Sequence, residues 1–180
     1  MKVIDNEQEI KKDSSFLKIK DGCIVKIKSH LIVVETAFDQ KTEKHILWSE
    51  KTGLPKRKEL FYLVEMNGEE GVLRLPLSVF FAMNENERLT GNDKRSMLWI
   101  LGKKGEVLKT KYWVAVKEII PTQDMEEIKK NTEKLKKILI SYEKRLAENL
   151  REFLGKKNQK SENEEYPEDL SLDDLKVFKR

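Results

Sequence analysis

Residues 108–117 read LKTKYWVAVK and alternate strictly. On one side of a strand fall Leu108, Thr110, Tyr112, Val114 and Val116. On the other fall Lys109, Lys111, Trp113 and Lys117, with Ala115 among them. The first side has the character of a core face. The second sets one indole among three ammonium groups, a combination that neutralises phosphates and stacks a base. A half-solvated strand with one exposed Trp gives the same pattern, so the rest of the chain must decide.

Further basic and aromatic residues recur on strand-like segments. Lys26 and Lys28 share one side of CIVKIK, and Trp48 closes HILW. Lys56, Arg57 and Lys58 end a basic loop, KTGLPKRK, punctuated by Gly53 and Pro55. Arg74 lies in a later short strand, and Arg95 and Trp99 share parity on KRSMLWIL. All three tryptophans therefore stand beside cations. Trp99 also shares its side with Met97 and Leu101, which favours the core for it. The candidate nucleic-acid contacts are Lys26, Lys28, Trp48, Lys56, Arg57, Lys58, Arg74, Arg95, Trp99, Lys109, Lys111 and Trp113, with Trp113 first and Trp48 second among the aromatics.

Catalytic patterns are missing. The two histidines, His30 and His45, have no metal-ligand spacing with the one cysteine, Cys23. No glycine-rich phosphate loop or nucleophile elbow occurs, and the carboxylates are scattered. The expectation is a protein that is not an enzyme and that needs no metal or cofactor. Cys23 sits on the apolar side of its strand as a small buried thiol. A single cysteine forms no intrachain disulfide and suits an intracellular, cytoplasmic compartment, nucleoid-associated if the partner is DNA. No apolar run is long enough for a membrane span, and the N-terminus lacks a hydrophobic signal core.

The elements that must position these residues are short strands. Candidate strands lie at 16–20, 23–28, 31–37, 44–50, 60–66, 71–75, 94–101 and 108–117, with turns at Asp21-Gly22, Asn67-Gly68 and 102–105. A helix is expected from Pro76 to about Leu89. The pattern predicts a mainly β fold: a five-stranded oligonucleotide-binding barrel with a short inserted helix. From residue 122 the period changes. Met125, Ile128, Thr132, Leu135, Leu139, Tyr142, Leu146, Asn149 and Phe153 are spaced alternately by three and four, a four-heptad coiled-coil seam on a helix over 123–154. A helix lying along the barrel would show the same stripe.

The charge distribution adds to this. The net charge is +4 overall, but +5 over residues 16–120, +4 over 122–160 and −4 over 161–180. A basic body followed by an acidic tail suggests a nucleic-acid partner. The organisation read from the sequence is a flexible lead-in at 1–15, a binding domain at 16–120, a long amphipathic helix at 122–155 and a disordered acidic tail at 156–180. The tail carries Leu170, Leu172, Leu175, Val177 and Phe178 among its acids.

Four blocks resemble the single-stranded-DNA-binding proteins of the bacteriophage helix-destabilising type. They are FLKIKDGCIVKI (16–27), HILW (45–48), residues 59–78, and residues 99–114 with Gly102, Gly105, Thr110, Tyr112 and Val114. The resemblance spans residues 16–117. It implies an oligonucleotide-binding fold that coats single-stranded DNA in replication, repair or recombination. Several such proteins carry a zinc-binding insertion where this chain has KTGLPKRK, which offers no Cys or His, so the resemblance implies no zinc. The acidic tail resembles tails that recruit replication or repair proteins, although here Lys179 and Arg180 follow Phe178. The expected partners are single-stranded DNA, with RNA as a variant, a second copy through residues 123–154, and such proteins through the tail. The alternative is a protein-interaction adaptor that uses the long helix and tail.

Overall fold

The computed structural model describes residues 15–105, 109–157 and 176–178. Its strands are β1 (Phe16–Leu17), β2 (Cys23–Ile27), β3 (Leu31–Asp39), β4 (Lys44–Leu47), β5 (Arg57–Met66), β6 (Glu69–Leu75), β7 (Met97–Lys104), β8 (Lys111–Ile119) and β9 (Lys176–Phe178). The helices are α1 (Leu77–Thr90) and α2 (Met125–Lys157). Among the described residues no helix is long and apolar enough to cross a membrane.

All the strands join one sheet, in the order β1-β6-β5-β2-β7-β8, with β3 on β5 and carrying β4 and β9. β5 is long enough to serve two partners along one side. Its residues 64–66 pair with β2 and its residues 57–61 with β3. Ser29 fills the break between β2 and β3. Its hydroxyl accepts the Leu63 N–H and donates to the His30 carbonyl, both at 2.9 Å. The buried backbone thus stays paired where the strand bends.

β5 explains the architecture. Its run LFYLV is apolar at both parities, so both of its faces must be covered. Leu60, Tyr62 and Val64 enter an inner core with Val25, Leu73 and Trp99, closed by Val79 and Met83 of α1. Phe61 and Leu63 enter an outer core with Ile32, Val34 and Val72, closed by Leu135, Leu139 and Leu146 of α2. A small closed barrel buries only its inward face, and here β3 and β5 are buried on both. The expected five-stranded barrel is therefore replaced by an open, nine-stranded mixed sheet with a helix on each side; its path ends at β1 and β8, which do not pair.

The coiled-coil expectation is corrected for the same reason. Alternate spacing by three and four serves a helix on a sheet as well as a helix on a helix. Ile128, Thr132, Leu135, Leu139 and Leu146 are all buried within this one chain. These five seam positions pack within this chain, while Met125 of the same seam is exposed. The expected 16–120 and 122–155 units share the outer core. The segment 94–96 also departs from expectation: it is a 3-10 turn, because the Asp93 carboxylate accepts the Arg95 N–H at 2.8 Å. The lead-in at 1–14 and most of the acidic tail lie outside the described residues, while residues 176–178 pair antiparallel with Leu31, Ile32 and Val33.

Candidate nucleic-acid interface

The β7–β8 hairpin carries the strongest arrangement. Tyr112, Val114 and Val116 fall opposite Lys103, Leu101 and Trp99 on the inner side, with Val114 and Val116 against the inner core, while Trp113 falls opposite Gly102 on the outer side. This is the division that the alternation of residues 108–117 predicts. A Cβ built on Gly102 would meet the Trp113 ring at 2.1 Å, so the indole lies directly against the β7 backbone. Only glycine leaves that space. Trp113 remains 38% exposed, a supported aromatic surface open to a base.

Lys104 and Lys111 are direct cross-strand partners on the same outer side. Both are exposed. Like charges directly opposite repel, and neither is paired with a carboxylate among the described residues. An anion between them relieves the repulsion. Lys109 and Lys117 are exposed on the same polypeptide segment. The half-buried Ile24, Leu98 and Ile100 extend this outer surface toward β2, with Lys26 among them.

A second feature is an open groove of about 540 Å³ around the ends of β5 and β6. Among the described residues five cations line it, Lys18, Arg57, Lys58, Arg74 and Lys103, against one carboxylate, Glu59. Leu73 and Leu75 supply apolar wall, and Tyr112 connects the groove with the hairpin. Glu59 is buried. Its Oε2 accepts the Tyr142 hydroxyl at 2.5 Å, and its Oε1 lies 3.4 Å from Arg74 Nη1 and 3.5 Å from His45 Nδ1. Burial pushes the Tyr142 phenol up, and the neighbouring Glu59 charge pushes it further, so the hydroxyl stays protonated and donates.

The remaining candidates divide sharply. Trp48 and Lys56 form a separate group. The Lys56 ammonium stands 4.0 Å from the Trp48 ring centroid and 3.4 Å from Glu35, while the Trp48 indole N–H donates to the Leu54 carbonyl at 3.2 Å. Arg57 lies over Phe38, its guanidinium 5.5 Å from the ring centroid. Lys28 is engaged by Glu70 at 2.6 Å. Two candidates are corrected. Trp99 is 0% exposed, its N–H bonded to the Lys94 carbonyl at 3.0 Å, so it is core. Arg95 is buried, bonded to both Asp93 oxygens at 2.8 Å and to His30 Nδ1 at 2.8 Å, and takes no part in a surface.

Sequence reasoning missed Lys18, Glu59, Lys103, Lys104 and Tyr112 as site residues. Lys103 and Lys104 were legible as the point where the apolar run of β7 stops. Tyr112 was assigned to the core side; it is on that side, but beyond the end of the core. Glu59 and Lys18 carried no local signal. Among the described residues no group of three or more His, Cys, Asp or Glu side chains could hold a metal ion.

No family model matches this chain. No curated protein and no solved structure matches it either.

Proposed function

We propose that the chain is a sequence-tolerant single-stranded DNA-binding protein that coats and protects exposed strands. The observation that carries this reading is Trp113 seated on Gly102 beside the directly opposed charges of Lys104 and Lys111. A base stacks on the indole, and phosphates neutralise the opposed lysines. Tyr112 and the cations of the groove extend the track around the hairpin. Each stacked base contributes about 1–3 kcal/mol without reading sequence. The phosphate contacts make affinity fall with salt. The packing of Leu135, Leu139 and Leu146 on the sheet supports this reading over an adaptor that binds through the apolar stripe of α2.

The test is an anisotropy titration with fluorescent oligothymidine of about 30 nucleotides, at low and high salt, with duplex DNA as competitor. Salt-sensitive binding that resists duplex and weakens in Trp113→Ala supports the reading. Failure to bind at low salt overturns it.

A further inference from the structure

The groove has a chemistry that strand coating does not need. Phosphate contacts call for cations and hydrogen-bond donors, yet a buried carboxylate, Glu59, shares this groove with them. Its two oxygens differ. Oε2 is taken by Tyr142 at 2.5 Å, whereas Oε1 has, among the described residues, only the long contacts to Arg74 at 3.4 Å and His45 at 3.5 Å. Oε1 keeps acceptor capacity. Arg74 is 58% exposed at its side chain and keeps donors. A second observation points the same way. Thr36, also in the groove lining, is fully buried, and its hydroxyl has no hydrogen-bond partner among the described residues. A buried polar atom without a partner is costly, and a ligand removes the cost.

An acceptor beside a donor fork selects among bases. Guanine presents two adjacent donors, N1–H and the N2 amino group, next to the O6 acceptor. Adenine and cytosine present one amino group beside a bare ring nitrogen, which would face the carboxylate lone pairs. Thymine presents one N–H between two carbonyls. Single-stranded bases are read on this edge. We propose that the groove holds one guanine, with Glu59 Oε1 accepting from both N1–H and N2–H and Arg74 donating to O6. Tyr112 closes the site beside the ring, and Lys18 and Lys103 stand ready for the phosphate. This deepens the strand-binding reading and rests on it for the source of the base: one selective position within an otherwise tolerant track.

The test has two arms. In the first, oligothymidines of about 20 nucleotides, with dG, dA or dC at the central three positions, compete for the protein. The dG strand is expected to compete about tenfold better than the others, as one well-made bidentate contact would allow. Thr36→Val should fold as stably as the parent, since its hydroxyl has no partner to lose, and should bind the dG strand more weakly. Glu59→Gln should reduce the ratio of dG-strand affinity to oligothymidine affinity. In the second arm, amide NMR shifts are followed during titration with guanosine monophosphate and, separately, thymidine monophosphate. The guanine nucleotide alone should move the Thr36, Glu59 and Arg74 signals. Equal competition by all strands, or a dG preference unchanged in Glu59→Gln, overturns the proposal. If no strand binds but guanosine monophosphate still moves those signals, the guanine site stands and the strand reading falls. If strands bind and neither nucleotide moves them, the reverse holds.

Discussion

Thr132 of the long helix holds the backbone of His30 in the sheet: its hydroxyl accepts the His30 N–H at 3.0 Å and donates to the Ile128 carbonyl at 2.7 Å. Both residues are buried. The polar residue that interrupts the heptad stripe is thus a docking point. It meets the chain where β2 gives way to β3, one residue after Ser29. Asn131 adds a bond to the Lys28 carbonyl at 3.0 Å, and Gln123 one to the Ile27 carbonyl at 3.0 Å. Three polar side chains, Gln123 just before α2 and Asn131 and Thr132 within it, therefore register the start of the helix on the sheet on either side of the buried Ile128.

Thr132→Val keeps the shape and removes the acceptor, leaving a buried amide unpaired. The expected loss is about 1–3 kcal/mol of folding stability. Urea unfolding should show it as a lower midpoint with an unchanged slope. A loss no larger than that of an exposed substitution would show that the amide finds another partner.

Leu139→Ala opens the outer core at a fully buried position. It should cost about 2–5 kcal/mol, the usual range for truncating a buried leucine. A seam leucine of a coiled coil between two copies would cost a similar amount, but its unfolding midpoint would depend on protein concentration, so thermal unfolding at two concentrations separates the two arrangements of the stripe.

Gly102→Ala tests the indole seat. The new methyl group would occupy the volume of the Trp113 ring, so the ring must leave the β7 backbone. Affinity for oligothymidine should fall about tenfold, within the range of one lost stacking contact. Tryptophan fluorescence of the free protein should also shift as the Trp113 indole leaves its seat. Retained affinity would remove Trp113 from the interface.

Asp93 and Arg95 set a pH dependence. Burial works to raise the Asp93 carboxyl, but the hydrogen bonds and charge of Arg95 outweigh it and hold the group below its ordinary value. The unfolded chain therefore binds this proton more readily than the folded one. The pair's contribution is complete above the unfolded value of about 3.9 and is lost as pH falls through the folded value. Asp93→Asn should lower stability at neutral pH by about 1–2 kcal/mol and flatten the acid side of the stability profile. Urea midpoints between about pH 3 and 7 would check it.

Much of this was legible because alternation has physical meaning. The two sides of β8 follow from residues 108–117 alone, and the burial of Trp99 follows from its parity with Met97 and Leu101. The barrel was not legible because short strands look alike whether or not their sheet closes. The sign of openness was the doubly apolar run of β5, which demands a cover on each face. The seam of α2 was read correctly as a stripe, but a stripe does not say what it packs on. Arg95 looks like any strand cation; its burial depends on His30, 65 positions away. The groove joins Lys18, Glu59, Arg74, Lys103 and Tyr112, and only sheet register brings such distant positions together.

The cover that α2 provides also sets an order of events during synthesis. Every strand except β9 has been made by residue 119, yet the outer side of β3, β5 and β6 still lacks Leu135, Leu139 and Leu146. A nascent chain at that length carries a nearly finished sheet with Ile32, Val34, Phe61, Leu63 and Val72 bare. Exposed apolar sheet is the surface on which partly made proteins associate wrongly. Most of the charges of α2, with the buried Glu143 as an exception, face water and let this late segment reach the sheet while staying soluble. Synthesis of the last third of the chain, rather than of the sheet itself, is the step at which the molecule becomes safe from its neighbours.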